Sequence, residues 1–314
     1  MTTHVFAEPR APEIEQADRR PGNGRMRQMY FVWATFFLGA IGVLLVKAAD
    51  PTVLEGLSAT ASSFLTWTVL ATAAMAFVCE FIDSTLGMGY GTTLTPVLLL
   101  LGYEPLQVVP AVLLSELLTG ITGGLLHHGA GNVCFHRGSR HLHVMLVLVA
   151  ASVLGTAPAV YAATQLPAAV LKGFIGTVVL GVGVVLLATL NRTFRFSWSK
   201  VAGLGILAAV NKAVSGGGYG PVVVGGQVVV GLETKNAIGI TAMAEGATCI
   251  VGVVMYAVTL GIDARLALPL VVGAMGSVPL AVISVKAASA RRLRIGIGVL
   301  TVILGVVTLA KMIW

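Results

Sequence analysis

Charge is what this chain has least of. Only 11% of its 314 residues are Asp, Glu, Lys or Arg, against 56% apolar residues, whereas soluble domains carry about 25% charged residues. With a mean hydropathy of +0.92, the chain cannot solvate its own surface. That excludes an ordinary soluble globule and leaves an integral membrane protein with lipid around it. Cysteine is scarce too: Cys79, Cys134 and Cys249 have no paired or metal-type spacing and read as small apolar residues. Enzyme signatures are missing, with no Walker A loop, no Gly-x-Ser-x-Gly elbow and no His-Glu-x-x-His. We therefore expect neither an enzyme nor a cofactor. No basic patch is interleaved with aromatics, so the net charge of +7 does not indicate nucleic acid. His127, His128, Cys134, His136, His141 and His143 crowd one stretch, but without zinc-type spacing; they read as a solvated, pH-sensitive loop rather than a metal site.

What is there is a series of long apolar runs, near 29–46, 64–85, 108–127, 142–163, 168–190, 201–214, 236–260, 264–285 and 293–313. Residues 1–28 are polar and mixed in charge and read as a flexible cytoplasmic tail. The first apolar run is long enough to span rather than serve as the core of a signal peptide. Two further apolar pieces, 92–101 and 221–230, are short; as helices each reaches only about 15 Å, half of the hydrocarbon core. Each follows a glycine-rich break and reads as half of a discontinuous element.

Loop charges set the orientation. His136, Arg137 and Arg140 mark one cytoplasmic loop, Arg192, Arg195 and Lys200 a second, and Lys286, Arg291, Arg292 and Arg294 a third. With the N-terminus inside, the crossings balance only if 64–101 and 201–231 each return to the side they entered from. The C-terminus then lies outside.

Displacing the chain by 129 residues exposes a repeat. Gly87-x-Gly89-Tyr90-Gly91 falls on Gly216-x-Gly218-Tyr219-Gly220, Gly102-x-Glu104 on Gly231-x-Glu233, and Glu116-x-x-Thr119-x-Ile121-x-Gly123 on Glu245-x-x-Thr248-x-Ile250-x-Gly252. Glycine matches alone mean little, but two glutamates and a tyrosine in one register mean more in so uncharged a chain. The expected fold is an all-α integral membrane protein of two inverted repeats. Each repeat is a re-entrant or discontinuous hairpin plus three transmembrane helices, and one extra N-terminal transmembrane helix precedes them. The divisions are a tail at 1–28, a first helix and connector at 29–63, repeat 1 at 64–190, a cytoplasmic linker at 191–200 and repeat 2 at 201–314.

The glycine breaks are the candidate site. A helix N-terminus carries about half a positive charge and several free N–H donors, so two such ends facing each other would hold a small anion. The substrate-binding candidates are Gly87, Gly89, Tyr90, Gly91 and Thr92 in the first unit, and Asn211, Lys212, Ser215, Gly216, Gly218, Tyr219 and Gly220 in the second. Glu116 and Glu245, deep in apolar spans, either carry coupling protons or accept hydrogen bonds from the hairpins. Asp83 occupies the register of Lys212, which suggests an ion pair between them, with Glu80 as an alternative partner; Lys212 facing the substrate is equally open.

With these residues in view, the chain resembles the sulfite exporter TauE/SafE family of bacterial membrane permeases. The resemblance rests on the duplicated glycine break with its half-helix and on the glutamate-bearing span that follows, and covers about residues 64–313. It implies an inner-membrane secondary transporter that exports sulfite or a related organosulfur anion, coupled to a proton or sodium gradient, with a homodimer as one form. The two units differ at Ser215, Gly217 and Pro221 against Leu86, Met88 and Thr92. A passive anion channel and a membrane assembly or sensor component remain as alternatives.

Overall fold

The computed structural model describes residues 30, 31, 33, 34, 67–189, 197–229, 232–285 and 290–311. Among them the chain is helical, without strands. Among the described residues ten helices follow one another from residue 67: α1 (Trp67–Leu86), α2 (Tyr90–Leu100), α3 (Pro105–Gly129), α4 (Arg140–Gln165), α5 (Ala168–Ala188), α6 (Trp198–Ser215), α7 (Tyr219–Val229), α8 (Thr234–Thr259), α9 (Ala264–Ser284) and α10 (Ala290–Ala310). Six are long and apolar enough to cross a membrane: Val69–Leu86, Pro105–Gly129, Arg140–Gln165, Ala168–Ala188, Thr234–Thr259 and Ala264–Ser284. The protein is a multi-pass membrane protein. α1, expected as one arm of a hairpin, is thus long enough to cross by itself.

The apolar run at 29–46 lies mostly outside the described residues, as do the tail at 1–28 and Arg192, Arg195 and Lys286. Of that first run, Tyr30 and Trp33 are helical and pack against Leu126, Val278 and Val282.

Helix ends follow local chemistry. α3 starts earlier than its apolar run because Glu104 and Gln107 form a reciprocal capping box and Pro105 opens the first turn. Ser139 caps α4 by accepting from Leu142 N at 3.1 Å, and Asp263 caps α9 by accepting from Arg265 N at 2.9 Å. The two short apolar pieces are α2 and α7, each of 11 residues, or about 16 Å of helix.

The broadest interfaces join α3 to α8, α1 to α9, α4 to α6 and α5 to α10. The first five helices therefore pack mainly on the last five. Small residues set these crossings, as membrane helices without a hydrophobic driving force require. A side chain at Gly120 would lie 2.7 Å from Gly246 N, and one at Gly246 would lie 2.6 Å from Ile121 N. Gly305 of α10 likewise faces Leu180 N of α5 at 2.6 Å, and Gly155 of α4 faces Ile206 O of α6 at 3.0 Å.

Polarity runs from inside to outside in the membrane sense. Leu154, Tyr161, Val258 and Ile283 are exposed, while Glu80, Glu116, Lys212 and Glu245 are buried. Burying ionisable groups costs free energy unless they are paired, so these four define where a site is to be sought.

The α3–α8 crossing yields a test. Gly246→Val should cost about 1–3 kcal/mol through overpacking, read as a lower thermal midpoint in detergent. Gly203→Ala, where nothing lies within 4 Å, should leave that midpoint unchanged.

Candidate functional site

The site begins where α1 and α6 end. Each helix runs into a glycine with a left-handed backbone, Gly87 at φ +69° and Gly216 at φ +70°. Only glycine adopts that conformation without a steric cost. Gly216 N closes α6 by donating to Lys212 O at 2.8 Å, and Gly87 N donates to Asp83 O in the same way. After three residues a new helix starts at Tyr90 or at Tyr219.

The two breaks touch each other, backbone against backbone. A side chain on Gly91 would collide with Gly216 O and lie 2.6 Å from Gly217 Cα. One on Gly220 would collide with Gly87 O and lie 2.8 Å from Met88 Cα. The two contacts are the same contact displaced by 129 residues. Both tyrosines are fully buried and anchored away from the breaks: Tyr90 OH donates to Ser115 Oγ at 2.8 Å, and Tyr219 OH lies 3.3 Å from Ser152 Oγ.

Beside the breaks lie the buried charges. Lys212 Nζ makes ion pairs with both Glu116 Oε2 and Glu245 Oε1, the latter at 2.7 Å. The lysine is 1% exposed. The expected Lys212–Asp83 pair is not what forms. Asp83 Oδ1 instead accepts from Tyr90 N at 3.2 Å, which places a carboxylate on the first amide of α2. Register put Asp83 opposite Lys212, but α3 and α8 bring the two glutamates closer. Glu116 and Glu245 pair with this lysine rather than accept from the amides of the hairpins. Glu80 accepts from Ser84 Oγ at 2.6 Å and from Thr119 Oγ1 at 3.1 Å.

The second break carries polar supports that the first lacks. Asn211 Nδ2 donates to Gly217 O at 2.9 Å. Ser215 Oγ lies 2.8 Å from Asn211 O and 3.1 Å from Gly217 O, and accepts from Gly217 N at 3.2 Å. Gly218, at φ +79°, packs against Asn211 Nδ2. On the facing helix, the hydroxyls of Thr92 and Thr95 are buried and have no hydrogen-bond partner among the described residues. The structure thus gathers Gly87, Gly91, Thr92, Asn211, Lys212, Ser215, Gly216 and Gly220 at one place, with Gly89 opening α2 and Glu116 and Glu245 beside them.

Two features were not visible in the pattern of residues. Thr95 sat inside an apolar run, and only its facing partner, Gly216, marks it out. His127, expected in a solvated loop, is fully buried, because α3 continues to Gly129 and draws it inside. Its ring bridges Ser84 O at 3.0 Å and Asn132 Nδ2 at 3.0 Å, tying α3 to the end of α1. The other histidines serve the connection to α4: His128 Nδ1 lies 3.1 Å from Val133 O, and His141 Nδ1 accepts from Cys134 N at 3.2 Å. No group of three His, Cys, Asp or Glu among the described residues is placed to hold a metal ion.

Residues 71–308 match the family model described as Sulfite exporter TauE/SafE, and the chain belongs to that family of membrane transporters. It is 27% identical over 194 residues to the "Probable membrane transporter protein YtnM" of Bacillus subtilis (strain 168). That alignment covers 58% of this chain and 62% of the relative, so the chain spans somewhat less than two thirds of that protein's length. No solved structure matches.

The ion triad predicts a graded response. Lys212→Met leaves two buried carboxylates facing each other and should cost about 3–5 kcal/mol, seen as loss of monodisperse protein and a lower thermal midpoint. Glu245→Gln leaves Lys212 paired with Glu116 and should cost clearly less. A triple variant, Lys212→Met with Glu116→Gln and Glu245→Gln, should recover most of the lost stability.

Proposed function

We propose that this member of the sulfite exporter TauE/SafE family is a secondary transporter that exports a small anion, sulfite or an organosulfonate, using an ion gradient. The observation that carries the reading is the meeting of the two glycine breaks beside a buried charge cluster. The backbone amides at the start of α7 are the natural ligands for an anion, the first amide of α2 being already bonded to Asp83. In this reading Gly87, Gly89, Tyr90, Gly91 and Thr92 on one side, and Asn211, Lys212, Ser215, Gly216, Gly218, Tyr219 and Gly220 on the other, form the walls of the substrate site.

The same geometry supports two inverted repeats, 64–190 and 201–314, each with its hairpin. Gly87 and Gly216 share one backbone conformation, and the Gly91 and Gly220 contacts are equivalent. α1 on α9 corresponds to α6 on α4, while α3–α8 and α5–α10 pair each helix with its own equivalent. An odd number of crossings per unit turns one repeat over relative to the other, the arrangement of many secondary transporters. The N-terminus then lies in the cytoplasm and the protein in the inner membrane.

Charge argues for coupling. The interior holds four acidic groups, buried Glu80, Glu116 and Glu245 and half-buried Asp83, and among the described residues Lys212 pairs with two of them, Glu116 and Glu245. An anion sharing this interior with such an acid excess needs accompanying cations to offset the repulsion. We assign that role to protons or sodium on the carboxylates, with Glu116, Glu245 and Asp83 as carriers. A passive channel needs an open polar line through the membrane; two breaks pressed backbone to backbone favour a carrier.

Two measurements test this. In proteoliposomes, sulfite flux should follow an imposed proton or sodium gradient; Glu245→Gln should abolish the driven flux and spare sulfite exchange. Sulfite flux that ignores every gradient would instead fit a channel. Cysteines at Glu104 and Glu233 should label from opposite sides of the membrane, Glu104 from outside; labelling from one side would end the inverted-repeat reading.

A further inference from the structure

The glycine breaks are equivalent in backbone, but not in chemistry. At Gly87 the atom nearest to an added side chain is Val224 Cγ2, at 2.6 Å; at Gly216 it is Thr95 Oγ1, at 3.0 Å. Val224 and Thr95 stand in the same register 129 residues apart, as do Pro221 and Thr92, Ile82 and Asn211, and Leu86 and Ser215. Thr95, Asn211 and Ser215 lie on the Gly216–Gly217 side, with Thr92 N against Gly217, while Ile82, Leu86 and Val224 cluster with Met88.

We infer that the anion subsite is one-sided, set against Gly216 and Gly217, with the hydroxyls of Thr92 and Thr95 as its donors to two oxygens of an oxyanion. The inference rests on the transport reading above and names which part of that site makes the contact. The two hydroxyls are the independent evidence. Thr92 and Thr95 are one turn apart on the same face of α2, at 1% and 0% exposure, and neither hydroxyl has a partner among the described residues. Buried threonines in these helices divide: Thr156, Thr301 and Thr308 are also unpaired, away from the breaks, whereas Thr85 donates to Phe81 O at 2.6 Å and Thr248 to Ala244 O at 2.7 Å. Thr92 and Thr95 do not, and a buried polar group left without a partner calls for one.

Across from the hydroxyls the anion meets backbone, including the Gly216 carbonyl that lies against Gly91. The carbonyl of Gly217 would repel it, yet that oxygen already accepts from Asn211 Nδ2 and lies within hydrogen-bond distance of Ser215 Oγ. Gly217 in turn lies so close to α2 that a side chain there would come 2.6 Å from Thr92 N. The equivalent place in the other break is Met88, flanked by Leu86 and Val224, which offers no donor side chain. The ligand class is a small oxyanion with at least two oxygens on one centre, such as sulfite or the head of an organosulfonate. A halide offers one point where the hydroxyls offer two.

The test is calorimetric titration of the purified full-length protein with sulfite, ethanesulfonate and chloride, with thermal midpoints recorded in parallel. Thr92→Val and Thr95→Val should each weaken sulfite binding about tenfold or more, as loss of a hydrogen bond to a charged group does. Neither should lower the midpoint, because each removes an unpaired hydroxyl. Thr95→Ser should restore affinity, and Thr95→Ala gives the same comparison with a smaller side chain. Thr156→Val, which removes another unpaired buried hydroxyl on α4, should leave sulfite affinity unchanged. Unchanged sulfite affinity in folded Thr92→Val and Thr95→Val would overturn the subsite alone and leave the hydroxyls to water. Failure of the wild-type protein to bind either sulfur oxyanion would overturn the transport reading and the subsite with it.

Discussion

One ammonium group, Lys212 Nζ, sets where three helices of this protein can stand. α3 and α8 approach so closely at Gly120 and Gly246 that their glutamates, Glu116 and Glu245, share the same small interior volume. Two carboxylates gathered around one point repel strongly where the dielectric is low. The lysine of α6 enters between them and turns a repulsion into a triad. Because Lys212 lies one helical turn before Gly216, the triad also fixes the end of α6, and hence the point at which the second break begins. The contact between the breaks, Gly91 on Gly217 and Gly220 on Met88, depends on that placement.

The lysine also separates the two halves chemically. Its counterpart in register, Asp83, does what a carboxylate at a helix start does well and accepts the first amide of α2. A lysine cannot accept. The second break is therefore organised differently, with Asn211 and Ser215 holding the Gly217 peptide from the side. A backbone motif repeated almost unchanged thus carries two sets of polar contacts. The acidic residue closes the start of its half-helix internally, and the basic one leaves the start of α7 without a side-chain carboxylate of that kind.

Much of this was legible in the sequence, for a physical reason. A membrane interior tolerates few charges and few breaks, so those that persist stand out: the glutamates, the two glycine clusters and their common register could be read directly. The long runs gave α3, α4, α5, α8 and α9 with ends shifted by a few residues, and the shift at α3 came from a capping box rather than from hydrophobicity. Partner choice was not legible. Register placed Asp83 opposite Lys212, but which helix of one half lies against which of the other is decided by small-residue crossings such as Gly120 with Gly246. The same applies to Thr95, invisible in an apolar run until a glycine of the other half is set against it. His127 was misread because a polar residue at the end of an apolar run looks like loop, whereas its bonds to Ser84 O and Asn132 keep it inside.

The closed contact between the breaks bears on how a carrier of this design would work. Nothing bulky fills the crossing; backbone meets backbone at Gly91, Gly217 and Gly220, and the neighbouring polar groups bond within their own segment rather than across. Separating the breaks would forfeit dispersion contacts but, among the described residues, no hydrogen bond that spans them. The strong restraint lies beside them, in the triad. As long as Lys212 keeps either glutamate, its charge stays paired, and removing both partners is what the interior penalises. The proposed transport cycle therefore has a loose element and a tight one. The breaks are free to open around an anion, while the lysine, bound to one carboxylate of each proposed repeat, limits how far α3, α6 and α8 can part.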